Sequence, residues 1–318
     1  MSLIVASQME PEINAALADL PLGPRVIPAP VGEPWNAARD ADVLIIRPTP
    51  EWITSRKQEV ARPTGWPGRL QWVFSASAGI DFYPEWLLDA PLVSCGRGTA
   101  SEEIADYVIA AIYRQAKDLD AVAVRDVWQW RHIPLGQVAG STVGLVGLGA
   151  IGQAVARRAV ALGARVVAAR RGGPGGDVIP GVEVLDSVSA VVEQADHIVI
   201  AIPATPRTRH LFNAELLAKA RPGAHLINVA RGSVVDQQAL LDALDKGLLG
   251  FATLDVTDPE PLPAGHPLYT HPKVRITPHI SSNYATARHR LLDKLATSID
   301  LFARGEAPLD LVDPQRGY

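Results

Sequence analysis

The sequence predicts an α/β protein built on doubly wound parallel sheets, and three observations carry that expectation. Short apolar runs recur along the chain, separated by segments of helical periodicity. The tight dipeptides that mark β-hairpins are missing between these runs, so successive strands are expected to run parallel with helices on the sheet faces. Near the middle, residues 140–152 read Gly-Ser-Thr-Val-Gly-Leu-Val-Gly-Leu-Gly-Ala-Ile-Gly, a buried-strand pattern opening into a glycine-rich turn and then a helix.

That stretch organises the rest. Residues 143–146 suit a central strand, and Gly147, Gly149 and Gly152 keep the GxGxxG spacing. Gly147 is expected to make the tight turn, Gly149 to leave room for a pyrophosphate, and Gly152 to let the next helix pack on its strand. Ile151, Val155, Ala159 and Leu162 lie at helical spacing, and the helix start offers free N–H groups and a positive dipole end to a phosphate. Gly163 ends the helix and residues 165–169 give a second strand. In this strand-turn-helix-strand context the motif predicts dinucleotide binding.

At 318 residues, 47% hydrophobic and 20% charged, the chain suits two soluble domains. A net charge of −4 argues against a nucleic acid or an acidic membrane surface as partner. The single cysteine, Cys95, forms no internal disulfide and suits a reducing compartment. The chain enters a strand at residues 3–6 without a charged leader, and no apolar run reaches membrane-spanning length. A cytoplasmic protein is expected.

Before Cys95, strands are expected at residues 3–6, 43–47, 72–75 and 92–95. Prolines at 21, 24, 28, 30, 34, 48, 50, 63 and 67 mark loops between them. Residues 101–119 read as one helix, with Ser101 as N-cap, Glu102 and Glu103 in the first turn, and Ile104, Tyr107, Val108 and Ala111 on the buried face. Trp128 and Trp130 follow in an irregular stretch ending at Pro134, either packed on the core or forming an arm against a partner subunit. Beyond residue 169, strands at 182–185, 197–202, 225–229, 251–256 and 274–277 alternate with helices such as 187–194 and 236–246. From residue 143 this makes about seven strands in one sheet. A last helix over 283–304 carries Leu291, Leu295, Ile299 and Phe302 on one face.

In open α/β sheets, chemistry gathers at the carboxyl ends of the strands. Three such ends deliver Arg231, then Asp255 with Glu260, then His279, an arginine, carboxylates and a histidine that can converge in one cleft.

From residue 138 to 280 the chain resembles the D-isomer-specific 2-hydroxyacid dehydrogenases. The likeness rests on Gly-Leu-Gly-Ala-Ile-Gly, Ile202-Pro-Ala-Thr-Pro-Arg-Thr208, Asn228-Val-Ala-Arg-Gly-Ser-Val-Val-Asp236, Leu254-Asp-Val, Glu260-Pro-Leu and Thr277-Pro-His-Ile. The N-terminal part matches less closely, chiefly through Ser77-Ala-Gly-Ile-Asp81. The resemblance implies a Rossmann NAD(P)-binding domain, residues 100–282, inserted in a flavodoxin-like substrate domain made of residues 1–99 and 283–318, and a homodimer. It implies cofactor contacts from Gly147, Gly149, Ala150, Ile151 and Gly152, from Ile202, Pro203 and Thr208, from Val229 and Ala230, and from His279, with Asp255 holding the nicotinamide carboxamide. Ala78 and Gly79 would offer backbone N–H groups to the substrate carboxylate, and Arg47 and Trp52 are further candidates for the substrate pocket.

The chemistry of 2-keto acid reduction fits these residues. A hydride must reach the carbonyl carbon while an acid within hydrogen-bond reach protonates the oxygen, a role for His279. Glu260 would orient the imidazole and stabilise the imidazolium, and Arg231 would bind the substrate carboxylate. The remaining histidines show no metal-ligand spacing, so no metal is expected. An acidic residue normally ends the second strand and bonds the ribose 2′-OH, but residues 168–172 read Ala-Ala-Arg-Arg-Gly. Arg170 and Arg171 would attract a 2′-phosphate, so NADP(H) is favoured and NAD(H) remains possible. The Arg-Arg pair and the two tryptophans make the glyoxylate and hydroxypyruvate reductases look nearest. In those a tryptophan of this stretch reaches the neighbouring subunit's active site. The alternatives are an NAD(H)-responsive corepressor of the same fold, or a dehydrogenase of another 2-hydroxy acid such as phosphoglycerate or lactate.

Overall fold

The computed structural model describes residues 2–48, 60–173 and 179–313. The chain divides into two compact units, Met1–Thr99 with Tyr284–Tyr318, and Ala100–Asn283.

The first unit holds a parallel five-stranded sheet in the order β2-β1-β3-β4-β5, with β1 Ile4–Ser7, β2 Arg25–Pro28, β3 Val43–Ile46, β4 Trp72–Ser75 and β5 Leu92–Cys95. This is the flavodoxin-like order. β3 and β4 are buried at every residue, as strands covered on both faces must be. Side chains alternate between two cores. Val5, Val43, Ile45, Trp72 and Phe74 meet α1 (Pro11–Ala18) and a long C-terminal helix, Tyr284–Ala303, through Ile13, Leu17, Leu291, Leu295 and Ile299. Ala6, Leu44, Ile46 and Val73 face the opposite way, onto Trp66, Tyr83 and Leu87. The helix face expected from sequence is the one used, with Phe302 half-buried against Trp72 at 5.4 Å between ring centroids.

One expectation fails here. Pro24 and Pro28 were expected to mark loop, yet residues 25–28 form β2. β2 is an edge strand pairing only with β1, and a proline at an edge removes no ladder bond that the sheet needs.

The second unit holds a parallel seven-stranded sheet in the order β12-β11-β10-β9-β6-β7-β8. Its strands are β6 Thr142–Val146, β7 Arg165–Ala169, β8 Val182–Val184, β9 His197–Ile200, β10 Ala224–Asn228, β11 Leu249–Leu254 and β12 Val274–Ile276. The order reverses between β6 and β9, the topological switch point of a Rossmann sheet. One face is covered by two helices, α3 (Ser101–Lys117, α2 being the short Trp35–Ala38 helix of the first unit) and α4 (Ala150–Ala161), through Ala105, Val108, Ile112, Ala154, Val155 and Ala159. Short helices and loops carrying Val191, Leu217, Leu240 and Leu244 cover the other.

Three details of this unit correct the sequence reading. Ser101 is the first residue of α3 and not its cap; Ala100 takes the cap position without a side-chain bond. The fully buried stripe of α3 is Ala105, Val108 and Ile112; Ile104, Tyr107 and Ala111 do pack against the same core as expected, but half-buried, with the Tyr107 hydroxyl turned to Thr277. Trp128 and Trp130 do not pack on the core: they are 91% and 82% exposed, around a single 3-10 turn at Val127–Gln129.

Candidate functional site

The glycine-rich turn is built as a backbone cradle. Gly147 has φ +105°, and a Cβ there would meet the Ala201 carbonyl oxygen at 2.4 Å. Gly152 sits so close to the same turn that a Cβ would lie 2.1 Å from the Gly147 oxygen. A Cβ on Gly149, by contrast, would meet nothing within 4 Å. The turn is therefore pulled tight against its strand while its outer side is left open at the start of α4, the shape a pyrophosphate needs. Ala150 and Ile151 open α4. Beyond β9, Ile202 and Pro203 continue the chain, and the Thr208 hydroxyl closes that loop on the Pro203 carbonyl at 2.7 Å.

Arg170 directly follows β7, and its Nε donates to the Gly173 carbonyl at 3.1 Å. Arg171 is exposed beside it. Among the described residues directly after β7, 170–173, none is acidic.

The loop after β10 carries Arg231. Asn228, 1% exposed, staples this loop at both ends of the side chain: its Oδ1 accepts from Ala230 N–H at 3.0 Å and its Nδ2 donates to the Arg231 carbonyl at 2.9 Å. Val229 and Ala230 are buried within the loop, and Arg231 Nη1 donates to the Ala230 carbonyl at 2.9 Å. Next in the chain, Gly232 touches the loop after β11, where Thr257 lies. That second loop is held by Gln237, whose side chain accepts from Asp258 N–H at 3.1 Å and donates to the Asp258 carbonyl.

Glu260 lies further along the same loop, and its Oε1 stands 2.7 Å from Nδ1 of His279. Both side chains are partly open to solvent. His279 has φ +53°, a left-handed backbone uncommon outside glycine, and its N–H donates to the Asp255 carbonyl at 2.9 Å. The Asp255 carboxylate is buried and accepts three bonds: Thr277 Oγ1–H at 2.6 Å, Ile280 N–H at 2.8 Å and Ser281 N–H at 2.9 Å.

Thus the second unit brings Glu260 and His279 into contact and sets the Arg231 loop against theirs. In the first unit, Ala78 is exposed and Gly79 half-buried in the loop after β4, which Ser77 shapes by donating to the Gly79 carbonyl at 2.6 Å. Arg47 follows β3, but Nη1 is engaged by Glu10, whose other oxygen accepts the Tyr284 hydroxyl at 2.5 Å. Trp52 lies outside the described residues. Asn228, Gln237, Glu10 and Tyr284 were not singled out from sequence; Asn228 stands inside a quoted motif, while the others gave no signal of their own. Among the described residues no group of three or more His, Cys, Asp or Glu side chains is placed to hold a metal, and no helix is long and apolar enough to cross a membrane.

The NAD-binding domain of the D-isomer specific 2-hydroxyacid dehydrogenases matches residues 107–281 as a family model. The chain belongs to that family. This dehydrogenase is 32% identical over 290 residues to a glyoxylate/hydroxypyruvate reductase A of Serratia proteamaculans, covering 88% of each chain. It is 34% identical over 257 residues to a glyoxylate reductase of Thermofilum pendens, covering 77% of this chain and 76% of that one. Among solved structures it is similar to a D-isomer specific 2-hydroxyacid dehydrogenase of Xanthobacter autotrophicus Py2 in complex with NADPH and MES, with TM-score 0.83, 28% identity and full coverage of both chains. An NADPH-dependent glyoxylate/hydroxypyruvate reductase of Sinorhizobium meliloti in complex with NADP and sulfate gives TM-score 0.80 at 27% identity, again over both whole chains. The two-domain α/β architecture and the class of enzyme, an NAD(P)-dependent oxidoreductase, follow for this dehydrogenase.

Proposed function

We propose that this dehydrogenase reduces a small 2-keto acid of the glyoxylate or hydroxypyruvate type to the D-2-hydroxy acid, with NADPH as preferred cofactor and His279 as the acid. The observation that carries the reading is the 2.7 Å bond between His279 and Glu260 beside the Arg231 loop, at the carboxyl edge of the sheet that begins with the glycine cradle. The names of the relatives in Serratia and Thermofilum support the substrate class.

The residues divide the work. Bound nicotinamide cofactor supplies the hydride. Because Glu260 engages Nδ1, Nε2 of His279 is the nitrogen left for the substrate oxygen, and it delivers the proton there. The carboxylate of Glu260, in contact with Nδ1, fixes the ring orientation. Arg231, held by the Asn228 staple, binds the substrate carboxylate and polarises the carbonyl. Gly147, Gly149, Ala150, Ile151 and Gly152 would hold the pyrophosphate, Ile202, Pro203, Thr208, Val229 and Ala230 would line the cofactor site, and Asp255 would meet the carboxamide through its remaining lone pair.

Arg170 and Arg171, at the end of β7, supply positive charge where a 2′-phosphate would lie, and the Xanthobacter and Sinorhizobium structures hold NADPH and NADP. The enzyme works in the cytoplasm as a homodimer. Its partner covers the segment around Trp128 and Trp130, two large apolar side chains that a monomer leaves in water.

Steady-state oxidation of NADPH and, separately, NADH with glyoxylate, hydroxypyruvate, pyruvate and phenylpyruvate tests the reading. Faster turnover with NADPH, and with glyoxylate and hydroxypyruvate over pyruvate and phenylpyruvate, is expected. Activity with NADH alone overturns the cofactor preference; no turnover of any of the four overturns the reductase.

A further inference from the structure

The His279 turn is not held by its own strand alone. Of the three donors on the Asp255 carboxylate, two are the backbone N–H groups of Ile280 and Ser281, immediately after His279. The orientation of that carboxylate therefore fixes the left-handed turn from which the imidazole projects. The third donor is the Thr277 hydroxyl, at 2.6 Å. Thr277 in turn lies 2.7 Å from the hydroxyl of Tyr107, on α3.

The hydrogens can be assigned by counting. A threonine hydroxyl has one hydrogen, and Asp255 as a carboxylate only accepts. Thr277 thus gives its hydrogen to Asp255 Oδ1, and Tyr107 donates to Thr277. The chain Tyr107 to Thr277 to Asp255 runs in one direction, each hydroxyl accepting from behind and donating ahead. Burial raises the Tyr107 phenol above its ordinary range, against the opposing effect of the Thr277 hydrogen bond and with a smaller push from the Asp255 charge, so Tyr107 keeps its proton and stays a donor across physiological pH.

We propose that Tyr107 and Thr277 are positioning residues for His279, acting through the Asp255 carboxylate. This rests on His279 being the proton donor. The Tyr107 hydroxyl occupies the Thr277 lone pair and so directs the threonine hydrogen onto Oδ1; that bond stops the carboxylate from rotating and releasing Ile280 and Ser281. When the chain is cut, the turn samples other conformations, and His279 meets the substrate oxygen in a smaller fraction of encounters. The loss falls on turnover and spares the binding of substrate by Arg231.

The test is kinetic, on the full chain, with NADPH and glyoxylate. Thr277→Val keeps the shape and removes the hydroxyl, and should lower kcat about ten-fold, the loss of one hydrogen bond to a charged group, while KM for glyoxylate stays within about two-fold. The solvent deuterium isotope effect on kcat should rise, because proton delivery becomes slower relative to the other steps. Thr277→Ser restores the hydroxyl and should restore turnover. Tyr107→Phe, which leaves Asp255 and Thr277 in place, should lower kcat about three-fold, and the double variant should be no worse than Thr277→Val alone, since both changes cut one chain. If Thr277→Val fails to fold, Tyr107→Phe carries the test alone with the same kcat, KM and isotope readouts. Wild-type kcat and isotope effect in the variants, with His279→Ala inactive, overturn the positioning role and leave the acid assignment standing. Turnover retained in His279→Ala overturns both.

Discussion

A Cβ on Gly232 would fall 1.9 Å from the carbonyl carbon of Thr257. The loops after β10 and β11 therefore touch backbone to backbone, and this contact sets Arg231 beside the loop of Glu260. Gly232→Ala has no flexible neighbour to displace. It is expected to cost about 3 kcal/mol or more, read as a lower urea midpoint, and to remove turnover by parting the two loops. Gly149→Ala makes the opposite experiment, since its Cβ would enter open space. Its urea midpoint should match wild type while the KM for NADPH rises, because the methyl group would fill the open side of the turn proposed to receive the pyrophosphate. Equal midpoints for both variants would refute the contrast.

The proposed roles of Arg231 and His279 separate kinetically. Arg231→Ala should raise KM for glyoxylate and lower kcat/KM at least about 100-fold, through loss of a charge-assisted pair with the carboxylate. His279→Ala should lower kcat by about 10² to 10⁴ with NADPH affinity near wild type, as expected for a lost proton donor. Glu260→Gln retains an acceptor for Nδ1 and loses the charge, so its kcat should fall between these variants and wild type. Near-wild-type turnover in the first two removes the catalytic assignment.

Much of the second unit is legible in the sequence because its signals are local. The glycine spacing dictates the turn, the apolar runs dictate buried parallel strands, and Arg231, Glu260 and His279 each sit just past a strand end. What was not legible depends on neighbours distant in sequence. Tyr107 has the spacing of a core residue, and only the approach of Thr277, at the end of β12, gives its hydroxyl a use. Arg47 reads as a free cation until Glu10 is brought to it from the loop after β1. Residues 25–28 read as proline-rich loop, since a strand lying at a sheet edge cannot be inferred from its own composition. The exposure of Trp128 and Trp130 is likewise a property of their surroundings, which hydrophobicity alone does not state.

Cofactor preference rests on the end of β7. Replacing Arg170 and Arg171 together by alanine should raise KM for NADPH by about 10- to 100-fold, the scale of lost charge-assisted contacts to a phosphate, and leave KM for NADH within about two-fold. Equal effects on the two cofactors would show that the pair shapes the loop and does not read the 2′-phosphate.

The Arg47–Glu10–Tyr284 cluster offers a test of the expectation that Arg47 meets the substrate. Glu10 engages the Arg47 guanidinium with one oxygen and the Tyr284 hydroxyl with the other, so the positive charge at this strand end is already answered. Burial, with the Glu10 charge behind it, pushes the Tyr284 phenol well above its usual range and keeps it a donor. Arg47→Ala should therefore change glyoxylate kinetics little. Glu10→Ala releases the guanidinium and should shift preference toward a keto acid with a second carboxylate, raising the oxaloacetate-to-glyoxylate ratio of kcat/KM about ten-fold. An unchanged ratio would place the cluster outside the substrate's reach.

Acid stability is expected to depend on a histidine pair at the amino ends of two central strands of the seven-stranded sheet. His197 begins β9 and His225 lies on β10, their Nδ1 atoms 3.4 Å apart, with His225 Nε2 2.8 Å from the Thr253 hydroxyl. Burial, the largest cause, lowers both pKa values, against the pull of Asp196 on His197, and takes His225 from 6.5 to about 3. The folded protein holds these rings neutral, while the unfolded chain binds protons as the pH drops below 6.5. Their contribution to stability is thus complete above that pH and is lost progressively as the pH falls, for His225 down to about 3, at up to about 1.4 kcal/mol per pH unit for a ring. His225→Gln removes one titrating group from the pair, so its urea midpoint, lower at pH 7, should fall less between pH 7 and pH 4.5 than that of the wild type. Parallel losses in the two proteins would assign acid sensitivity to the carboxylates instead.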